Sequence, residues 1–328
     1  MFDATSLKRD ITITQSTVEC PVIGCKSRVP RQRKRFQTLE EFKCPVHGIY
    51  ISQSTFEYHN KLDNILWTDK QDIELLFNQI CIFKRESNRI ARDNSEDAVT
   101  WNVFRYLEKH SLERFLSEIA GSSVEDPEII YWSYCPSEKN IWSELQKARF
   151  EFETNPEKGS EPDLIIRSKN ALFFIEAKVN ANNETTPSSN NSRVEERYTA
   201  GGDNWYSKVF NSHYREIAVA NRKYELLRFW LLGSWIAYNL NVNFLLVNLV
   251  PETKEQNIET VFGKYIIPVE GTKHQERAFL RLTWEQIYKF ILSTKETSLE
   301  KQTVLTYLKN KTIGYDSNHN LQKAFAIS

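Results

Sequence analysis

The stretch that most constrains this chain runs from Gly159 to Lys178. Two apolar runs, Leu164 to Ile166 and Leu172 to Ile175, flank the pair Lys169-Asn170. Lys-Asn is an acceptable, though not ideal, pair for a two-residue turn between antiparallel strands. Such a loop sets residue 168 opposite 171, and each step outward preserves the sum of the two numbers. Asp163 then stands opposite Glu176. Directly opposed residues share a face, with Cβ atoms roughly 5 Å apart. Lys178, two residues on, joins them. Ala177 points away, but its backbone carbonyl lies between the two. One face thus carries two carboxylates and one ammonium among apolar neighbours. Unpaired carboxylates are costly to bury, and two opposed ones repel. A divalent cation resolves both problems, since Mg²⁺ takes oxygen ligands, often one or two carboxylates with waters and a phosphate. Lys178 is placed to orient or deprotonate an attacking water. The same residues also fit a surface hairpin in which Lys178 simply pairs with Glu176 or Asp163.

The segments around this hairpin alternate. A helix is expected over 95–109, capped by Ser95 with Glu96 and Asp97 in its first turn, where acids suit the helix dipole. A second helix follows over 112–119 and a strand over 127–134. The segment with Trp142, Leu145 and Phe150 has no settled type. After strands at 163–167 and 171–179, a polar, Asn/Ser-rich stretch over 180–204 reads as a loop. An apolar helix (217–239), a buried strand (243–250) ended by Pro251, a strand (279–284) and a helix (285–292) complete the order. Strands and helices alternating in this way predict an α/β fold, a mixed central sheet flanked by helices on both faces.

Five cysteines, an odd number, with no basic-then-apolar leader at the N-terminus, argue for a reducing compartment and against a disulfide scaffold. Cys20-x4-Cys25 and Cys44-x2-His47 form two pairs separated by 18 residues, and Cys-Pro-Val opens each pair. Two ligand pairs on tight turns hold a structural Zn²⁺, and a Cys₃His set closes its tetrahedron. Three buried thiols and a surface histidine are the plainer reading. Cys81 and Cys135 have apolar neighbours and read as core. Between the half-sites, Lys26, Arg28, Arg31, Arg33, Lys34 and Arg35 crowd ten residues. They form either a solvated face or a loop that contacts phosphates.

Pro162-Asp163, followed by Glu176-Ala177-Lys178, resembles both halves of the motif of the PD-(D/E)XK nuclease superfamily, the restriction-endonuclease-like fold. The resemblance implies an αβββαβ core over 94–250. It implies Mg²⁺ (or Mn²⁺) held by Asp163, Glu176 and the Ala177 carbonyl, with Lys178 positioning the nucleophilic water. An acid on the first helix is expected in that family; Glu96 matches best, with Asp97 or Glu108 as substitutes. The helix after the third strand offers Arg222, Lys223, Tyr224 or Arg228. The implied activity is metal-dependent endonucleolytic hydrolysis of DNA, RNA not being excluded, leaving 5′-phosphates, in a restriction or phage-defence role. The alternative is a catalytically silent nucleic-acid-binding subunit of a larger defence, repair or mobile-element complex. A bacterial cytoplasmic location follows from the same resemblance, and a homodimer would let one site per chain cut two strands.

The expected organisation is a zinc-ribbon-like module with its basic loop (1–60), a helical bridge (61–93) and a nuclease domain (94–328), whose last part, 251–328, extends the core. No apolar run reaches the ~20 residues of a membrane span. The 43 basic and 43 acidic residues balance, which at first excludes a strongly basic nucleic-acid binder. The average hides a distribution: the first fifty residues hold nine Lys/Arg against five Asp/Glu.

Overall fold

A computed structural model describes residues 1–84, 89–188, 192–269 and 275–327. The chain divides into two compact units. One comprises Met1–Asp69, Asn88–Tyr106 and Trp284–Ser328; the other comprises Lys70–Ser87 and Leu107–Thr283.

The second unit is built on a seven-stranded mixed sheet. Its strands are β1 (Glu128–Tyr131), β2 (Tyr134–Cys135), β3 (Asn140–Ile141), β4 (Leu164–Arg167), β5 (Ala171–Ala177), β6 (Asn243–Val250) and β7 (Arg277–Thr283). They lie in the order β7-β6-β5-β4-β1-β2-β3. β1, β4 and β5 run antiparallel in sequence, whereas β6 is parallel to both β5 and β7. Every residue of β5 is buried, as both-face coverage by helices requires of a central strand with a parallel neighbour. Helices Ser143–Phe152, Ser192–Val209 and Tyr224–Leu240 supply apolar faces to one cluster with Phe174, Phe244 and Leu246. The α/β class and the flanked mixed sheet are therefore as the alternation of the sequence predicts.

Several local expectations change. The strand expected over 127–134 stops at Tyr131, because Trp132 and Ser133 take left-handed backbone angles (φ 43° and 78°) and turn the chain into β2. The polar stretch 180–204 is not all loop. A helix begins at Ser192, and Val194, Tyr198, Trp205, Tyr206 and Val209 face the core; only 201–204 leave helical angles. The apolar helix starts late, at Tyr224. Residues 216–220 form a π turn, and the Thr185 N–H donates to the Arg222 carbonyl at 2.8 Å, ending that turn. Cys135 is in the core, but Cys81 is only half-buried.

The first unit gathers three separate segments. Residues 284–328, expected as an extension of the domain beginning at 94, belong instead with the N-terminal sixty-nine. The reason is a set of long-range bonds. The Tyr315 N–H donates to the Ser54 carbonyl and its hydroxyl to that of Lys8, both at 2.8 Å. Lys311 and Thr312 reach the fully buried Asp93 at 3.5 and 2.6 Å, while burial raises the pKa of that carboxyl. Tyr315 and Leu321 also pack on the cluster that holds Cys20, Cys25 and Cys44. The bridge expected over 61–93 is likewise shared between units, dividing at Asp69–Lys70; its residues 85–88 lie outside those described.

Gly233 packs where the helix Tyr224–Leu240 crosses the sheet. A Cβ there would lie 2.3 Å from two Phe244 ring carbons and 3.2 Å from Phe174. Overpacking of this kind costs about 1–3 kcal/mol. Gly233→Ala is expected to lower the urea midpoint correspondingly, and an unchanged midpoint would contradict this packing.

Candidate functional site

Cys20, Cys25, Cys44 and His47 converge. Their donor atoms all lie within 4.8 Å of one another. The Sγ atoms of Cys25 and Cys44 are 3.8 Å apart, and His47 Nδ1 is 3.6 Å from Cys20 Sγ and 3.7 Å from Cys44 Sγ. A tetrahedral zinc with Zn–S bonds of about 2.3 Å has edges of about 3.8 Å. The donor set is thus the size and chemistry of a site that could hold a structural metal such as zinc. All three cysteines are buried. Burial raises the pKa of Cys20. For Cys25 burial acts in the same sense, but hydrogen bonds from Ser27 and the neighbouring thiols bring it down to about 6. Between the two pairs, Lys26, Arg28, Arg31, Arg33, Lys34 and Arg35 are all exposed. Gln32, buried at their centre, anchors the loop: its amide donates to the carbonyls of Ile51 and Gln37, and its oxygen accepts from the Gln37 N–H at 2.7 Å.

The acidic hairpin lies in the second unit. The pairs Leu164–Ile175, Ile165–Phe174, Ile166–Phe173 and Arg167–Leu172 give the register the two-residue turn requires. The Ser168 N–H donates to the Ala171 carbonyl at 2.9 Å and closes the turn. One step further out, Asp163 accepts from the Ala177 N–H at 2.9 Å. Lys178 pairs closely with Glu176 and lies 3.5 Å from Glu225. Glu176 is only 3% exposed. Its pKa is raised well above the carboxylate range, first by burial, then by the charges of Asp163 and Glu225; Lys178 opposes the shift. Three carboxylates around one ammonium leave net negative charge at the end of a buried strand.

Two polar networks hold this arrangement. Before Asp163, Glu153 accepts from the Ser160 N–H at 2.8 Å, while buried Arg149 donates to the Ser160 carbonyl at 2.8 Å and to the Ser133 hydroxyl at 2.7 Å. Gly159 is required here, since a Cβ would meet the Glu153 carboxylate at 1.5 Å. The strained Trp132 sits alongside, its N–H donating to the Asp163 carbonyl at 3.2 Å. After Lys178, Asn248, registered beside Glu176 on β6, donates to Glu255 at 2.7 Å and accepts from Asn183. Lys223 donates to Glu255 at 3.2 Å. Thr185 then caps the long helix: its hydroxyl accepts from the Glu225 N–H at 2.9 Å.

Of the expected catalytic residues, Asp163, Glu176 and Lys178 come together. Glu96 opens the helix Glu96–His110 and belongs to the other unit. Asp97 also lies there, whereas Glu108, in the second unit, accepts from the Tyr131 hydroxyl at 3.2 Å. Among the four helix candidates, Tyr224 and Arg228 line a cleft of about 560 Å³ that Glu225, Glu153, Lys158 and Tyr198 also border. Lys223 instead supports Glu255 in the buried network, and Arg222 is an exposed partner of Glu184. Glu225 is the residue that sequence reasoning passes over. An acid in the first turn of a helix reads as a dipole complement, and its 3.5 Å approach to Lys178 is a tertiary contact that no local pattern shows. Comparison with protein-family models, curated proteins and solved structures finds no match to this chain.

A raised native pKa means that folded Glu176 keeps its proton at pH values where the unfolded chain has lost it. The native state then binds more protons, so stability falls as pH rises from the ordinary carboxylate range through the raised value. Glu176→Gln removes that loss. Without added divalent cation, the variant is expected to be more stable than wild type above this window. Urea unfolding across the pH range checks this. A wild-type slope that the substitution leaves intact would refute it.

Proposed function

We propose that the second unit is a metal-dependent nuclease of the PD-(D/E)XK type that hydrolyses phosphodiester bonds, with DNA as its substrate, in a restriction or phage-defence role. The observation that carries this reading is the meeting of Asp163, Glu176 and Lys178 at the end of β5, on the register the motif requires. The antiparallel run β1, β4, β5 and the parallel β6 after an intervening helix support the αβββαβ reading.

Asp163, Glu176 and the Ala177 carbonyl would hold Mg²⁺ or Mn²⁺, and their hard oxygen donors and surplus negative charge fit such an ion. The ion supplies Lewis acidity toward the scissile phosphate when bound. Lys178 orients the attacking water; its ammonium can take up the water's proton only as it passes one of its own to a carboxylate, and Glu225, 3.5 Å away, is such an acceptor beyond the paired Glu176. Arg228 and Lys158 give the cleft cations for a phosphate backbone, and Tyr224 presents an aromatic face beside Arg228, 4.9 Å away. In the first unit the cysteine–histidine quartet holds one structural Zn²⁺, and the basic loop that it ties down contacts DNA phosphates.

A catalytically silent DNA-binding subunit is the second reading, and the close pairing of Lys178 with Glu176 favours it, since a committed lysine is not free to act. The two separate on one assay. With Mg²⁺ or Mn²⁺, wild type is expected to nick supercoiled plasmid and Lys178→Ala to lose about a hundredfold or more. A wild type that cuts neither DNA nor RNA, or a variant that cuts equally well, removes the nuclease assignment.

Elemental measurement is expected to find one zinc per chain, lost in Cys44→Ser together with stability of the first unit. Replacing Arg33, Lys34 and Arg35 by Gln is expected to weaken DNA binding uniformly across sequences. The slope of log affinity against log salt should fall by roughly one for each phosphate that is no longer neutralised. An unaltered salt slope would take the basic loop out of the interface.

A further inference from the structure

A second cavity, of about 310 Å³, opens in the second unit between Trp205, Lys208, Tyr238 and Arg277. It stands apart from the acidic hairpin. Glu225 is in the first turn of the helix Tyr224–Leu240 and Tyr238 in the last, thirteen residues further on, or roughly 20 Å along the axis.

Three features of this cavity point to a ligand. Tyr238 is 52% exposed, an unusual place for an aromatic ring, and it leans on Trp205 with ring centroids 4.8 Å apart. The Tyr238 ring, tilted 44° to the indole, rests on that neighbour and keeps about half of its surface exposed. Trp205 is already satisfied, its indole N–H donating to the Ser234 hydroxyl at 3.0 Å, so it serves as a fixed platform. Second, two cations flank the platform: Lys208 Nζ is 5.4 Å and the Arg277 guanidinium 5.7 Å from the Trp205 ring centre. Among the described residues neither has a carboxylate partner. Third, Arg277 Nε is buried with no hydrogen-bond acceptor among the described residues. A buried donor without a partner is uncommon and costly. Burial also lowers the Arg277 pKa, the direction taken by a cation lacking a counter-charge.

We infer that this cavity binds a nucleotide, its base stacked on the exposed Tyr238 ring and its phosphate held by Arg277 and Lys208. Aromatic surface alone would suit any apolar ligand and paired cations any anion. The two within one small cavity match a planar group joined to a phosphate. Guanidinium hydrogen bonds to phosphate are charge-assisted, and Arg277, which lines the cavity, offers such donors. The nucleotide is either free or an unpaired unit of a strand, and the two sources present the same chemistry. The site is independent of the hydrolytic reading, because no residue of the acidic hairpin contributes to it.

The test is calorimetric titration of the intact protein in buffer without added divalent cation. The probes are dAMP, dTMP, deoxyribose 5-phosphate, inorganic phosphate and a short 5′-phosphorylated oligodeoxynucleotide. The mononucleotides or the oligonucleotide should bind, and more tightly than phosphate or the sugar phosphate. Arg277→Gln and Tyr238→Ala should each weaken binding about tenfold or more. Lys208→Gln, at an exposed position that tolerates substitution, should weaken it in the same direction. Mononucleotides binding as tightly as the oligonucleotide would assign a free effector; tighter oligonucleotide binding that depends on Arg277 would assign a strand. The proposal fails if no nucleotide binds, if phosphate binds equally well, or if binding survives in both Lys208→Gln and a folded Arg277→Gln.

Discussion

The burial of Glu176 is the constraint on which the second unit depends. A carboxylate at the covered end of a central strand, beside two other carboxylates, cannot be ionised at ordinary cost. Lys178 offsets part of that cost, but one ammonium faces Glu176 and Glu225 together. Removing a single member of such a group leaves an uncompensated charge, whereas replacing the whole group by apolar residues is often neutral or stabilising. The group is thus poorly explained as a stability device. Its cost is understandable if a further positive charge joins it when the protein works.

The polar networks around the hairpin follow from the same constraint. Arg149, Glu153 and Ser160 fix the approach to Asp163, and Asn183, Asn248 and Glu255 fix the exit from Lys178. A charged group in a low-dielectric setting gains or loses energy steeply with distance. A loosely held Asp163 or Lys178 would therefore leave Glu176 in a fluctuating field. The left-handed angles at Trp132 and Ser133 belong to this holding structure, since strained backbone persists where its surroundings over-determine it. Both residues are tied, Trp132 to Asp163 and Ser133 to Arg149 and Trp142.

What the sequence made legible was local. The hairpin register follows from turn length and period-two alternation, and so did the meeting of Asp163, Glu176 and Lys178. The alternation of elements carried the mixed sheet, and the spacing of two Cys/His pairs carried the quartet. What it did not show was set by distant contacts. The helix at Ser192–Val209 hides in a segment whose Asn and Ser content reads as loop, because its apolar positions have meaning only against Phe152 and the core. The return of 284–328 to the N-terminal unit rests on bonds spanning some three hundred residues, such as Tyr315 to Lys8, and no local pattern encodes those. Glu225 is hidden for a similar reason: its side chain meets Lys178 across forty-seven residues of chain.

Thr185 has a consequence for how the site is assembled. Its N–H donates to the Arg222 carbonyl, its carbonyl accepts from Tyr224 and its hydroxyl from Glu225. One residue thus ends the π turn and starts the long helix. The segment from Val179 to Glu184 is the tether between Lys178 and that residue, and Asn183 pins it to Asn248 and Glu255 along the way. The chain that leaves Lys178 thus also meets the backbone at the start of the helix that carries Glu225. Lengthening the tether would shift the cap and move Glu225 relative to Lys178, while the hairpin register, fixed by its own two-residue turn, would stay as it is.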